Sequence, residues 1–208
     1  MYMNIVQKIG YFVASLCMAL VVVACNNETD TTLTQQQTAI ESYLKNTHQP
    51  RLIPEEEVVN SLDEQPQFYT RWGLDIYRYI ATYYDEERAN KPQIGRGTTF
   101  EITYTAYIFS NGQPTVANMY ATNDAESLTK LENAGLNTSY EWTTEPMRIT
   151  LGSDALIPGL ETALDGCREG DTVEIYLTFK EAYGNNYIGK VPSKSSVAWF
   201  IKITDVIE

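Results

Sequence analysis

The stretch ALIPGLETALDGCREGD, Ala155 to Asp171, decides how the rest of the chain is read. Pro158 fixes φ near the helical value and lacks an N–H, which suits a first helical turn, where that donor has no partner anyway. Leu160, Ala163, Leu164 and Cys167 then recur at i, i+3, i+4 and i+7, so a short helix presents one apolar stripe that must meet a partner. Gly166 and Gly170 stop it. The chain restarts as TVEIYLTF, in which Val173, Ile175, Leu177 and Phe179 alternate with polar or amphipathic residues as in a half-buried strand.

Outward from this unit the texture is β: QFYTRW (67–72), LDIYRYIATYY (74–84), TTFEITYTAYIF (98–109), PMRITLG (146–152) and SVAWFIKITDVI (196–207). Phe100, Ile102, Tyr104, Ala106 and Ile108 alternate with Glu101, Thr103 and Thr105, and Val197, Trp199, Ile201 and Ile203 alternate with Ala198, Lys202 and Thr204. That period predicts an antiparallel sheet with one buried face. Residues 74–84 also fit a helix, through Ile76, Tyr79, Ile80 and Tyr83. NDAESLTKLENAG predicts a helix with Asn123 or Asp124 as N-cap, Leu128 and Leu131 on one face, and Gly135 just past its end.

The N-terminus has a different character. Lys8 precedes IGYFVASLCMALVVVAC, an apolar run of signal-peptide type that is short for a membrane span. Its end, VVAC, resembles the lipobox of bacterial lipoproteins, which implies lipidation of Cys25 and removal of residues 1–24. Residues 25–32 read as a lipidated tether and 33–66 as a helical N-terminal segment. In that segment Thr34 and Gln37 have capping-box spacing, Ile40, Tyr43 and Leu44 form an apolar stripe, and PEEEVVNSL opens a second helix with Pro54 in its first turn. His48 reads as a helix C-terminal residue favoured by the dipole, and DEER (85–88) as a solvated turn. Cys17 would leave with the leader, so Cys167 has no disulfide partner.

Charge and composition narrow the chemistry. The 208-residue chain carries a net charge of −12, and loss of Lys8 with the leader makes it more negative, which argues against nucleic acid as a partner. The single histidine, His48, leaves a Ser/His/Asp or Cys/His system without its base and a His-rich metal site unbuildable. GRG at 95–97 lacks the spacing of a phosphate loop. With 27 acidic residues some carboxylates pair by chance, and what remains is a chemistry that needs no nucleophile.

LIPGLETALDGCREGDTVEIYLTFKEAYG, followed by GKVPSKSSVAWFIKITDV, resembles the FKBP family of peptidyl-prolyl cis/trans isomerases, from about Gly97 to Glu208. The resemblance implies an α+β fold, a curved antiparallel sheet wrapped around one short helix, over residues 67–208, here with an N-terminal helical extension. It implies no cofactor or metal. For the site it implies Tyr104 at a pocket wall, Leu156 and Ile157 at the mouth with the Ile157 N–H as donor, Leu160 at the floor, Tyr183 as hydroxyl donor, and Trp199 closing the far side. Met147 stands where the family uses an aromatic residue, Tyr120 in the position of a Phe, and Ala121 in that of the pocket Asp. The expectation is therefore a monomeric, membrane-anchored lipoprotein of the bacterial cell envelope, periplasmic or surface-exposed. Its partners are proline-containing exported polypeptides. It isomerises them weakly, or holds peptides or proteins without catalysis.

Overall fold

A computed structural model describes residues 31–135 and 142–207; the expected leader and Cys25 lie outside the described residues. Contacts divide the chain into two compact units, Met1–Gln35 and Gln36–Glu208. Of the first, residues 31–35 are described and are helical. Among the described residues no helix is long and apolar enough to cross a membrane.

Helix α1 covers residues 31–46, so Thr34 lies inside the helix and is not its N-cap. The strands are β1 (Ile53–Pro54), β2 (Phe68–Trp72), β3 (Ile76–Ile80), β4 (Thr99–Ile108), β5 (Met119–Thr122), β6 (Met147–Thr150), β7 (Thr172–Leu177) and β8 (Val197–Ile207). Helix α2 (Ala125–Asn133) follows β5, and α3 (Pro158–Leu164) follows β6. PEEEVVNSL forms a 3-10 helix, Glu55–Asn60, with Pro54 as the residue before it. The strands make one sheet in the order β1-β2-β3-β7-β8-β4-β5, with β6 also on β4. Every pairing is antiparallel except β1 with β2. Residues 74–84 therefore resolve as strand and turn, because β3 has β2 on one side and β7 on the other to satisfy its backbone.

The sheet has two covered faces, where the alternation predicts one. Val173, Ile175 and Leu177 of β7 and Val197, Trp199 and Ile201 of β8 pack with Leu160, Ala163 and Leu164 of α3. Their neighbours Tyr176 and Ala198 pack instead with Ile40, Tyr43 and Leu44 of α1 and with Tyr77 and Tyr79 of β3. The three α1 residues are at most 1% exposed, and burying each contributes about 1.5–3 kcal/mol. The prediction of a single buried face fails because tyrosine occupies the outer positions. Its ring packs like an apolar residue once a helix covers it, and its hydroxyl needs only one partner.

His48 lies beyond the end of α1 and is buried, its ring edge-on to Tyr43 and Tyr79. Nδ1 faces the Pro50 carbonyl and Nε2 the Glu174 carboxylate at 2.9 Å. Both neighbours accept, so both ring nitrogens donate, and the favourable setting is a carboxylate and not the helix dipole. DEER is likewise no free turn, for Arg88 donates from Nε and Nη2 to Asp171 at 2.7 and 2.9 Å, and Asp171 is 1% exposed.

Helix α3 begins with Pro158 at its first turn, and Cys167 lies past its end yet fully buried. Gly159 permits its close seating: a Cβ there would come 2.5 Å from Leu177 Cδ2 and 2.8 Å from the Glu181 carbonyl oxygen. Asp124 caps α2 by accepting the Ser127 N–H at 2.8 Å, and Gly135 follows the helix at φ 65°.

Candidate functional site

Strand alternation and sheet neighbourhood bring four aromatic rings to the α3 side of the sheet. Tyr104 pairs with Ile201 and Ala106 with Trp199, so Tyr104 and Trp199 are diagonal neighbours on β4 and β8. Their rings stack with centroids 4.9 Å apart at 28°. Strand β5 pairs beyond β4, Ala106 with Ala121, and sets Tyr120 edge-on to Trp199 at 6.2 Å. Tyr183 comes from the turn after β7, where Gly184 at φ 61° returns its N–H to the Phe179 carbonyl at 2.8 Å. The Tyr120 and Tyr183 hydroxyls meet at 3.2 Å.

Two hydroxyls joined by one hydrogen bond keep one proton unspent. Burial, then the neighbouring Tyr183, push the Tyr120 pKa above its ordinary value. Burial also raises Tyr183, against an opposing contribution from the Tyr120 bond. Both therefore stay protonated donors at neutral pH. The Trp199 side chain is buried, and its Nε1–H, which lies against the Tyr120 hydroxyl, makes no well-aligned hydrogen bond among the described residues. Ile157, the extended residue before α3, makes no hydrogen bond through its N–H among the described residues. The joined hydroxyls and the Ile157 N–H offer donors, which suits a ligand bearing carbonyl oxygens.

Beside the rings lies a cavity of about 540 Å³, with Tyr104, Tyr120, Ala121, Trp142, Met147 and Lys190 in its lining. Of the residues singled out in the sequence, Tyr104, Tyr120, Ala121, Asn123 and Met147 line it. Trp199 and Tyr183 stand behind them through the ring contacts just described. Leu156 and Ile157 are partly buried against the inner core and Leu160 is 2% exposed within it, and none of the three belongs to the cavity lining. Met147 is 39% exposed. Ala121 puts a methyl group at the cavity, so β5 brings no carboxylate there. A second cleft, of about 390 Å³, is lined by Tyr107, Phe200, Glu174 and Lys202; its rings, Tyr107 edge-on to Phe200 at 5.4 Å, belong to the outer layer that α1 covers. Among the described residues no group of His, Cys, Asp and Glu converges as metal ligands would.

The sequence reading missed Trp142, Lys190 and the second role of Asn123. The Asn123 carboxamide accepts the Tyr104 N–H at 2.6 Å and donates to the Ile102 and Glu145 carbonyls, each at 3.0 Å. It thereby braces β4 against the segment that carries Trp142 and Met147. Two adjacent capping residues, Asn123 and Asp124, were the available signal: one caps α2, leaving the other for a different task.

No curated protein matches this chain. The family model for FKBP-type peptidyl-prolyl cis-trans isomerases matches residues 90–204. That match spans more than half of the sequence and contains all four rings, α3 and the cavity-lining segments. By this match, the chain belongs to the FKBP-type peptidyl-prolyl cis-trans isomerase family.

Proposed function

We propose that the chain accelerates cis-trans rotation of X–Pro bonds in exported polypeptides and assists their folding, acting as a monomer held to the bacterial envelope by a lipid on Cys25. The rotation faces a barrier of about 20 kcal/mol because amide resonance must be broken. No proton or electron pair is transferred. A site that binds the twisted amide more tightly than either planar form lowers the barrier.

The observation that carries this reading is the aromatic wall with its joined hydroxyls beside a 540 Å³ cavity. In the proposed roles, Tyr104, Tyr120 and Tyr183 meet the amide and the prolyl ring, and the Ile157 N–H receives a peptide carbonyl. Met147, Leu156, Leu160 and Trp199 shape and support the apolar surround. Excluding water weakens the solvation of the planar amide, whose charge separation falls as the bond twists. The second reading, a module that holds peptides without turnover, is favoured by one observation: Ala121 brings no carboxylate to the cavity.

Exchange spectroscopy on a short Leu-Pro peptide, with the full chain in mild detergent, separates the readings. Faster cis-trans exchange supports the isomerase. Saturable binding with unchanged exchange supports the holding module, and if neither is seen the site reading fails. The anchor has its own test, since Cys25→Ala should release the protein from membranes into the soluble fraction. Retention would mean that an uncleaved apolar segment is the anchor.

A further inference from the structure

The wall that carries Tyr183, Gly189 and Lys190 is a long turn between β7 and β8, and its own backbone closes it only in part. Lys194 N–H reaches the Gly184 carbonyl at 3.0 Å, and Ile188 and Val191 bond each other. Lys194 adopts φ 57°, a left-handed conformation that a non-glycine residue keeps only when its surroundings hold it there.

What spans this turn comes from α1, outside the residues the family model matches. The Gln36 Oε1 accepts the Phe179 N–H at 2.9 Å, and its Nε2 donates to the Lys194 carbonyl at 2.8 Å. One carboxamide thus ties together the two ends of the turn. Its neighbour Gln37 donates to Asp75 Oδ1 at 3.0 Å, and the same oxygen accepts the Thr178 hydroxyl at 2.9 Å. These polar contacts are separate from the apolar docking of α1, which rests on Ile40, Tyr43 and Leu44.

We infer that Gln36 is a positioning residue for the candidate site: through Phe179 and Lys194 it holds the turn so that Tyr183 meets Tyr120 and Lys190 lines the cavity. The inference rests on the cavity being the peptide site. It gives the extension a task in substrate binding in addition to covering the outer face.

The test compares wild type, Gln36→Ala and Gln36→Glu, each as the full chain in mild detergent, by hydrogen exchange, thermal unfolding, peptide affinity and isomerisation rate. In Gln36→Ala, exchange across 184–194 should rise and kcat/KM should fall about two- to tenfold, the worth of the lost hydrogen bonds, with little change in the unfolding midpoint. Gln36→Glu keeps an acceptor for Phe179 but loses the donor to Lys194, so protection should persist at Phe179 and fall at the Lys194 end. Unchanged exchange in Gln36→Ala, or a rise only in step with global destabilisation, overturns the inference. If wild type neither binds nor isomerises the peptide, the proposed function fails, while the exchange pattern still decides whether Gln36 holds the turn.

Discussion

Both faces of the sheet carry aromatic layers, the inner one from β4, β5, β8 and the turn after β7, the outer one from α1, β2, β3 and β7, and they are completed differently. On the outer face the hydroxyls are mostly spent: Tyr43 donates to Gln113 at 2.8 Å, Tyr77 to the Leu74 carbonyl at 3.0 Å, Tyr79 to Gln67 at 2.9 Å and Tyr176 to Glu174 at 2.6 Å. Tyr69 is the exception, its buried hydroxyl having no partner among the described residues. On the inner face the Tyr120 hydroxyl meets that of Tyr183 and lies against the Trp199 N–H, which makes no well-aligned hydrogen bond among the described residues, and a cavity stands alongside. Ring content alone does not mark a site. Unspent donors next to empty space do, because a ligand can supply what the protein has left unsatisfied.

The sharpest way to break this contrast is to delete one ring from each layer. Tyr43 is 1% exposed among other rings, so Tyr43→Ala should cost about 3–5 kcal/mol of stability, read as a lower denaturation midpoint, with peptide affinity intact in the molecules that remain folded. Tyr104 is only partly buried, and Tyr104→Ala should cost less stability and more peptide affinity. If Tyr104→Ala destabilises as much as Tyr43→Ala and leaves affinity unchanged, both layers are packing and the contrast is empty.

A smaller effect distinguishes the outer layer by its pH dependence. Burial opposes charge on His48 more than any other single influence, yet the Glu174 hydrogen bond, the Pro50 carbonyl and the Glu174 charge together raise its pKa above 6.5. Tyr43, Tyr79 and Tyr176, which surround the pair, remain protonated throughout this range because burial raises each of them. The pair's contribution to stability is therefore complete below 6.5 and is lost as pH rises through the higher folded-state value. As the chain's one histidine, His48 makes the assignment direct: denaturation midpoints should fall above that pH in wild type and stay level across it in His48→Gln. An identical slope in both proteins would place the titration elsewhere.

How much of this was legible in the sequence depends on the distance over which each feature is determined. Pro158, Gly166 and the Leu160/Ala163/Leu164 stripe act within one helix and its turns, and they lead directly to α3 and its buried side. Strands β4, β7 and β8 follow from local alternation. The outer layer does not, because Tyr176 at a polar-phase position becomes fully buried only when α1, far away in sequence, lies over it. For the site, the family pattern identified the rings that assemble, Tyr104, Tyr120, Tyr183 and Trp199. It sets Leu160 at the floor, and Leu160 lies buried in the core beside Trp199, outside the lining of the cavity. Trp142 and Lys190 lie in segments without periodicity, located by bonds such as Asn123 to the Glu145 carbonyl that no pattern announces.

The finest test removes a single atom. Tyr183→Phe deletes the hydroxyl that meets Tyr120 at 3.2 Å and keeps the ring that packs against it. Tyr120 would then lose that partner, and one net hydrogen bond is worth about 0.5–1.5 kcal/mol, roughly a two- to tenfold effect on whichever equilibrium used it. If Tyr183 serves the twisted amide, kcat/KM should fall by that factor while affinity for a ground-state peptide changes less, since only differential binding speeds the rotation. If the cavity merely holds peptides, affinity alone should fall, from a background of negligible turnover. Should the unfolding midpoint drop with rate and affinity both unchanged, the hydroxyl pair belongs with the outer layer as a structural bond. Of the donors named at the site, the Ile157 N–H would then remain for a peptide carbonyl.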